Sequence, residues 1–249
     1  MGKNTVKSQG SKNLYIYGRH PIELALNNPK RRILELYHMP DTLRGLKVPQ
    51  NIPTRMVDRS FLDGLVGRDA THQGIVAKCL PLEQQTPEAW FNQVQADKTI
   101  VVLILDQITD PHNIGAILRS AVAFDAAAVI VPEAGAPDET GTLAKSASGA
   151  LELIPYIRVP NLVRVMDFLK KQGFWCIGLD GYADQSITDT KLPNRCAFIM
   201  GSEGEGMRRL TQEKCDYCLK LPMNPAIESL NVSNAAALTL YEFRRQFPR

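Results

Sequence analysis

From residue 99 onward the chain alternates unbroken apolar runs with helical patterns, and this alternation limits the fold more than any other feature. Residues 99–105 read Thr-Ile-Val-Val-Leu-Ile-Leu, a run with no polar face. Such a run is buried on both sides, and a series of them separated by helices forms a parallel sheet covered on both faces. Further strands are expected at 127–131, 174–179, 196–200 and 217–221, with helices at 114–124, 162–171 and 232–246. The expected class is α/β, with a parallel-sheet domain over 99–249.

Residues 14–80 read as a smaller α/β unit, with strands at 14–17, 33–38, 54–57 and 74–80 and helices at 21–27 and 59–66. The expected order is a polar tail over 1–12, a small domain over 13–80, and a linker over 81–98. The linker opens on the polar, proline-bearing Pro81-Leu-Glu-Gln-Gln-Thr-Pro87 and carries a short helical stretch around Trp90.

The formal net charge of +3 conceals a split. Residues 1–80 hold 13 Lys/Arg against 6 Asp/Glu, whereas 81–249 hold 16 against 20, so the first third carries +7 and the rest −4. A polyanion is the partner such asymmetry suggests, a basic tail with solvated helices being the alternative. Lys30, Arg31 and Arg32 are candidate contacts to it, or a solvated helix-end cluster. The longest apolar run is too short to span a bilayer and the first twelve residues lack an apolar export core, which predicts a soluble cytoplasmic protein. Five cysteines, an odd number, suit reduced thiols. Cys215 and Cys218 lack a second pair at zinc spacing, and in a strand positions i and i+3 face opposite ways, so no metal is expected.

Three blocks carry polar residues that a core does not require: Asn113-Ile-Gly-Ala-Ile-Leu-Arg119, Gly201-Ser-Glu-Gly-Glu-Gly206, and Leu221-Pro-Met-Asn-Pro-Ala-Ile-Glu-Ser-Leu-Asn231. Each stands where a strand ends or a helix begins, the place where α/β sheets bind ligands. Asn113 reads as a helix N-cap or as a site residue. Arg119, in an otherwise small and apolar helix, calls for a phosphate or carboxylate unless its stem snorkels along the surface. Gly201, Gly204 and Gly206 let the backbone approach a ligand closely, at a spacing that fits neither a phosphate loop nor a dinucleotide turn. Glu203 is expected to be buried with a cationic partner, and Arg119 is a candidate. Ser229 and Asn231 are caps or site residues, and Leu221 and Leu230 would suit the faces of an adenine ring.

In order and spacing, over about residues 103–243, these blocks resemble the three motifs of the SpoU family, S-adenosylmethionine-dependent RNA 2′-O-ribose methyltransferases. Tyr17-Gly-Arg-His-Pro and His72-Gln-Gly-Ile-Val resemble the ribosomal-protein-like substrate-binding domain of the branch that methylates a guanosine ribose in 23S rRNA. The resemblance implies a trefoil knot in the C-terminal α/β domain, which periodicity alone gives no reason to propose. It also implies S-adenosylmethionine as cofactor, 23S rRNA as partner and a homodimer. It assigns Asn113, Arg119, Glu203, Ser229 and Asn231 to catalysis, with Glu203 positioning Arg119, and Gly201, Leu221 and Leu230 to the cofactor pocket.

Family accounts make the arginine of the first motif a general base, and physical chemistry objects. Bringing a guanidinium from a pKa near ~13 to ~7 demands roughly 8 kcal/mol, and a nearby carboxylate acts in the opposite direction. Arg119 is expected instead to clamp the substrate phosphate or the developing alkoxide, and the base stays open. A transfer-RNA ribose methyltransferase of the same family is the runner-up, disfavoured by the basic domain that precedes the catalytic one. A non-catalytic RNA-binding protein of the same fold is disfavoured by the intact set of five polar site residues. Dinucleotide binding lacks its glycine turn and acidic partner.

Overall fold

The computed structural model describes residues 13–94, 96–224 and 226–248; the polar tail expected at 1–12 lies outside them. Chain contacts divide the molecule into two units, one ending at Glu83 and the other beginning at Gln84.

The first unit runs β1 (Leu14–Tyr17), α1 (Arg19–Asn27), β2 (Ile33–His38), β3 (Thr54–Met56), α2 (Arg59–Val66) and β4 (Ile75–Cys79). Its sheet has the order β1-β4-β2-β3, with β4 antiparallel to both neighbours and β3 parallel to β2. The interior strand β4 buries Ile75, Val76, Ala77 and Cys79 completely. Asp58 caps α2 by accepting from the Phe61 backbone N–H at 2.8 Å, and Leu62 on that helix packs against Tyr37 and Val76.

The two short motifs of this unit meet in space. The Gly18 N–H donates to the Ile75 carbonyl at 3.3 Å, and the Arg19 N–H donates to Gln73 Oε1 at 2.8 Å. Buried His72 accepts from the Gly74 N–H at Nδ1 and faces Asp63 Oδ1 through Nε2, both at 3.0 Å. Gly74 sits at φ +75°, and a Cβ there would come within 2.7 Å of Thr42 Cγ2. The Arg19 guanidinium donates to the Thr42 and Arg44 carbonyls. These residues brace three loops at one end of the sheet. Arg31 departs from its expected role as a contact to a polyanion. It is 6% exposed and donates Nη1 to the Leu80 carbonyl at 2.8 Å, leaving Lys30 and Arg32 as the exposed cations of that run.

The second unit opens with α3 (Pro87–Val94) and continues β5 (Ile100–Leu105), α4 (Pro111–Ala123), β6 (Ala128–Pro132), α5 (Gly141–Ala147), β7 (Tyr156–Val159), α6 (Leu162–Lys171), β8 (Trp175–Leu179), β9 (Arg195–Met200), α7 (Arg209–Glu213), β10 (Tyr217–Leu219) and α8 (Val232–Gln246). Its six strands are parallel throughout, in the order β10-β8-β9-β5-β6-β7. Every residue of β5 is buried, as an apolar run of that kind requires. Helix α3 corrects the linker expected over 81–98. Trp90 and Phe91 are 1% and 7% exposed in the same core cluster as Ile100, Ile130 and Phe174, and Trp90 Nε1 donates to the Ala127 carbonyl at 3.0 Å. A fully buried indole makes that helix part of the second unit's core.

Registers Leu105↔Met200 and Leu179↔Met200 place the C-terminal ends of β5, β8 and β9 level with one another. The strand expected to reach 221 stops at Leu219, because the Lys220 N–H turns to the Gln185 carbonyl at 2.9 Å. No helix among the described residues is long and apolar enough to cross a membrane.

Candidate active site

A cavity of about 360 Å³ opens beside the ends of β8 and β9. One wall is the Gly-rich loop 201–207, pinched into a tight hairpin by reciprocal bonds between Ser202 and Gly206, N–H to carbonyl, at 3.1 and 3.0 Å. Gly201 is required there: a Cβ would lie 2.0 Å from the Gly206 carbonyl carbon. The segment leading into α8 also lines the cavity, including Leu221, Ser229 and Leu230. The cavity thus brings together Gly201, Leu221, Leu230, Glu203 and Ser229. Four of its lining residues are carboxylates, Asp180, Glu203, Glu205 and Glu228, and none is Lys, Arg or His. Such a lining favours a ligand that carries positive charge and apolar surface together.

Beside the cavity, residues more than a hundred positions apart form one polar cluster. Asn231 is the N-cap of α8, its Oδ1 accepting from the Ser233 N–H at 3.0 Å. That bond fixes the amide's orientation, so its NH₂ end faces Glu203 Oε1 at 2.8 Å and Asn113 Oδ1 at 3.0 Å. Glu203 Oε1 also accepts from the Val232 N–H at 3.0 Å. A carboxylate at a helix N-terminus is stabilised by the free N–H groups and the dipole. Asn113 Oδ1 is engaged, which leaves its own NH₂ free to donate among the described residues.

Three expectations change here. Asn113 is not the N-cap of α4: Asp110 is, accepting from the His112 N–H at 3.0 Å, and Asn113 sits in the first turn. Glu203 is exposed rather than buried, and α8 and Asn231 supply the donors that an arginine was expected to supply. Arg119 is exposed, and its guanidinium makes no hydrogen bond or ion pair among the described residues. Six helical positions set it about 120° around α4 from Asn113 and ~9 Å along it, so the two side chains leave the helix in different directions.

Cys215 and Cys218 also differ from expectation. Cys215 precedes β10 rather than lying in it, so the two sulfurs converge, lying 3.1 and 2.8 Å from the position a Cβ on Gly178 would take. The Cys215 Sγ donates to the Thr211 carbonyl at 3.5 Å, and the nearness of the two thiols lowers the Cys218 pKa to about 7 while raising that of Cys215. Among the described residues no group of three or more His, Cys, Asp or Glu side chains could hold a metal. Sequence reasoning also missed Asp180, Glu205 and Glu228, for which loop composition gives no signal. It assigned no role to Asp106, although an acid directly after a wholly apolar strand was a signal.

Residues 100–241 match the model of the SpoU rRNA Methylase family, and residues 15–85 match that of RNA 2'-O ribose methyltransferase substrate binding. The chain belongs to the SpoU family. Among SpoU relatives, the 23S rRNA (guanosine-2'-O-)-methyltransferase RlmB of Vibrio vulnificus is 39% identical over 94% of this chain and 97% of its own. The protein of the same name from Salmonella typhimurium is 38% identical over 93% of this chain and 98% of its own. Two solved structures share the SpoU fold. The methyltransferase AviRb from Streptomyces viridochromogenes, in complex with AdoMet, superposes with a TM-score of 0.80 at 24% identity, covering 94% of this chain and 90% of that one. A TrmH-family RNA methyltransferase structure from Porphyromonas gingivalis gives 0.79 at 25%, with the same coverage.

Proposed function

We propose that this protein transfers a methyl group from S-adenosylmethionine to a ribose 2′-OH of a guanosine in 23S rRNA. The observation that carries the reading is the acid-lined cavity with the Glu203–Asn231–Asn113 cluster beside it, at the level strand ends of a SpoU sheet. The cavity's chemistry fits the cofactor: apolar Leu221 and Leu230 suit the adenine, and the four carboxylates suit a sulfonium and an ammonium. When bound, S-adenosylmethionine supplies an already electrophilic methyl, so the protein's task is chiefly positioning. Gly201 lets the loop backbone close on the ligand, and Ser229 lies at the cavity wall. The free NH₂ of Asn113 is placed to hold the ribose hydroxyl, and the unpaired guanidinium of Arg119 to clamp a phosphate of the RNA. Glu203 acts by fixing Asn231, rather than by pairing with Arg119.

The protein is further proposed to carry a trefoil knot in the second unit, to form a homodimer and to reside in the cytoplasm. The exposed Leu238 and Tyr241 on α8, at 47% and 54%, support a second copy as partner. The +7 charge of residues 1–80 supports the first unit as the RNA-docking module, with residues 84–248 as the catalytic one. Relatives at 38–39% identity across nearly the whole chain carry the 23S rRNA name, which favours that substrate over transfer RNA. Incubation with rRNA and methyl-labelled cofactor should place the label in an alkali-resistant dinucleotide. Label on a base, or none on rRNA, overturns the reading.

A further inference from the structure

We infer that Asp106 is a positioning residue: through Arg208 it holds the cofactor loop in register with the helix that carries Asn113. Asp106 is the first residue after β5 and is completely buried. Its Oδ1 accepts from Arg208 Nε and Nη2, each at 2.7 Å, and its Oδ2 accepts from the Arg208 backbone N–H at 2.9 Å. Its own N–H donates to the Met200 carbonyl at 2.7 Å. One residue therefore grips loop 201–207 at both ends, at the last residue of β9 and at the residue after the loop. The next residue, Gln107, adds a bond from Nε2 to the Gly206 carbonyl at 3.3 Å.

The loop needs such a grip, because three glycines in six residues leave its backbone free to sample many conformations. It supplies much of one cavity wall and carries Glu203, whose partners stand on α8. Four residues beyond Asp106, Asp110 caps the helix bearing Asn113. Asp106 is thus the shared anchor of the loop and of that helix start. The fork matters as much as the charge: Nε and Nη2 address one carboxylate oxygen while the backbone N–H addresses the other, and a lysine offers only a point charge.

The inference rests on the proposed methyltransferase reading, and the test separates the two. In the full-length protein, Arg208→Ala and Arg208→Lys are compared with wild type for S-adenosylmethionine affinity by calorimetry, rRNA-fragment affinity, kcat, both KM values and thermal midpoint. Arg208→Ala is expected to weaken cofactor affinity tenfold or more and to lower kcat at saturating substrates, while RNA affinity stays within twofold. Arg208→Lys is expected to weaken cofactor affinity at least threefold. A cofactor change below threefold in Arg208→Ala, whatever happens to the midpoint, makes the pair merely structural and overturns the inference. A larger loss for RNA than for cofactor overturns it in favour of an RNA contact. Should the alanine variant not fold, the lysine variant decides by the same threefold criterion. Failure of the wild type to bind cofactor would overturn the methyltransferase reading instead.

Discussion

Asn231 does two jobs with the two ends of one amide: its oxygen caps α8 and its nitrogen ties Glu203 to Asn113. Substitutions can separate the two. Asn231→Asp keeps a capping oxygen but replaces the donor with a carboxylate facing Glu203, so it is expected to fold near normally and to lose about 100-fold in turnover through misplacement. Asn231→Ala loses the cap as well and should cost about 1 kcal/mol of stability besides. Urea unfolding and turnover measured on both variants check this, and full activity of the aspartate variant would remove the donor from the mechanism. The family resemblance assigned Asn113, Arg119, Glu203, Ser229 and Asn231 to one site, with Glu203 set against Arg119 rather than Asn231. Which atoms meet was not legible there, because hydrogen-bond pairing depends on how α8 docks, and sequence spacing does not encode that.

Helices α4 and α5 approach so closely that Gly115 has no room for a methyl group. A Cβ would lie 2.4 Å from Ser146 Cβ and 2.7 Å from the Ala147 nitrogen. Alanine favours an isolated helix by about 1 kcal/mol over glycine. Gly115→Ala is nonetheless expected to destabilise the protein by about 1–3 kcal/mol, because two backbones must separate; denaturant unfolding measures the sign. At the far end of α8, the Arg245 guanidinium beside Glu242, with a further bond from Gln246, holds the Glu242 carboxyl below its ordinary 4.5. A depressed carboxylate contributes stability that is present above its unfolded value and lost as pH falls through the folded one. Wild type should therefore lose thermal stability more steeply than Glu242→Gln as the pH drops below about 4.5, and parallel melting curves would refute it. At this scale strands such as β5, β6 and β9 were legible from unbroken apolar runs. β7, with Arg158 in its four residues, and α5, built of small residues, were not, because each takes its structure from the neighbours it packs against.

Across the whole molecule, the boundary between units matters more than the composition of the segment that marks it. Residues 81–98 read as a linker, from the prolines and polarity of 81–87, yet Trp90 within that span is buried in the second unit. A fragment beginning at Gln84 is expected to melt cooperatively. One beginning at Ala96 should lose about 3–5 kcal/mol, the usual cost of emptying a tryptophan site, and equal midpoints in calorimetry would refute the assignment. Fold class and domain order followed from periodicity and charge, because burial on both faces and net charge are properties of composition along the chain. The acid lining of the cavity did not, since its carboxylates come from three separate segments.

The bonds that build the site join distant residues: Asp106 to Arg208 spans 102 positions and Asn113 to Asn231 spans 118. Contacts of such separation close large loops, whose entropy has to be met before the contacts reward it. A chain whose last helix has not docked lacks the polar cluster, because Asn231 and the Val232 N–H come with α8. Cofactor affinity becomes a reporter of complete assembly. A ligand held at a hundred times its Kd adds about 2.7 kcal/mol to the folded state, so the cofactor itself selects for finished molecules.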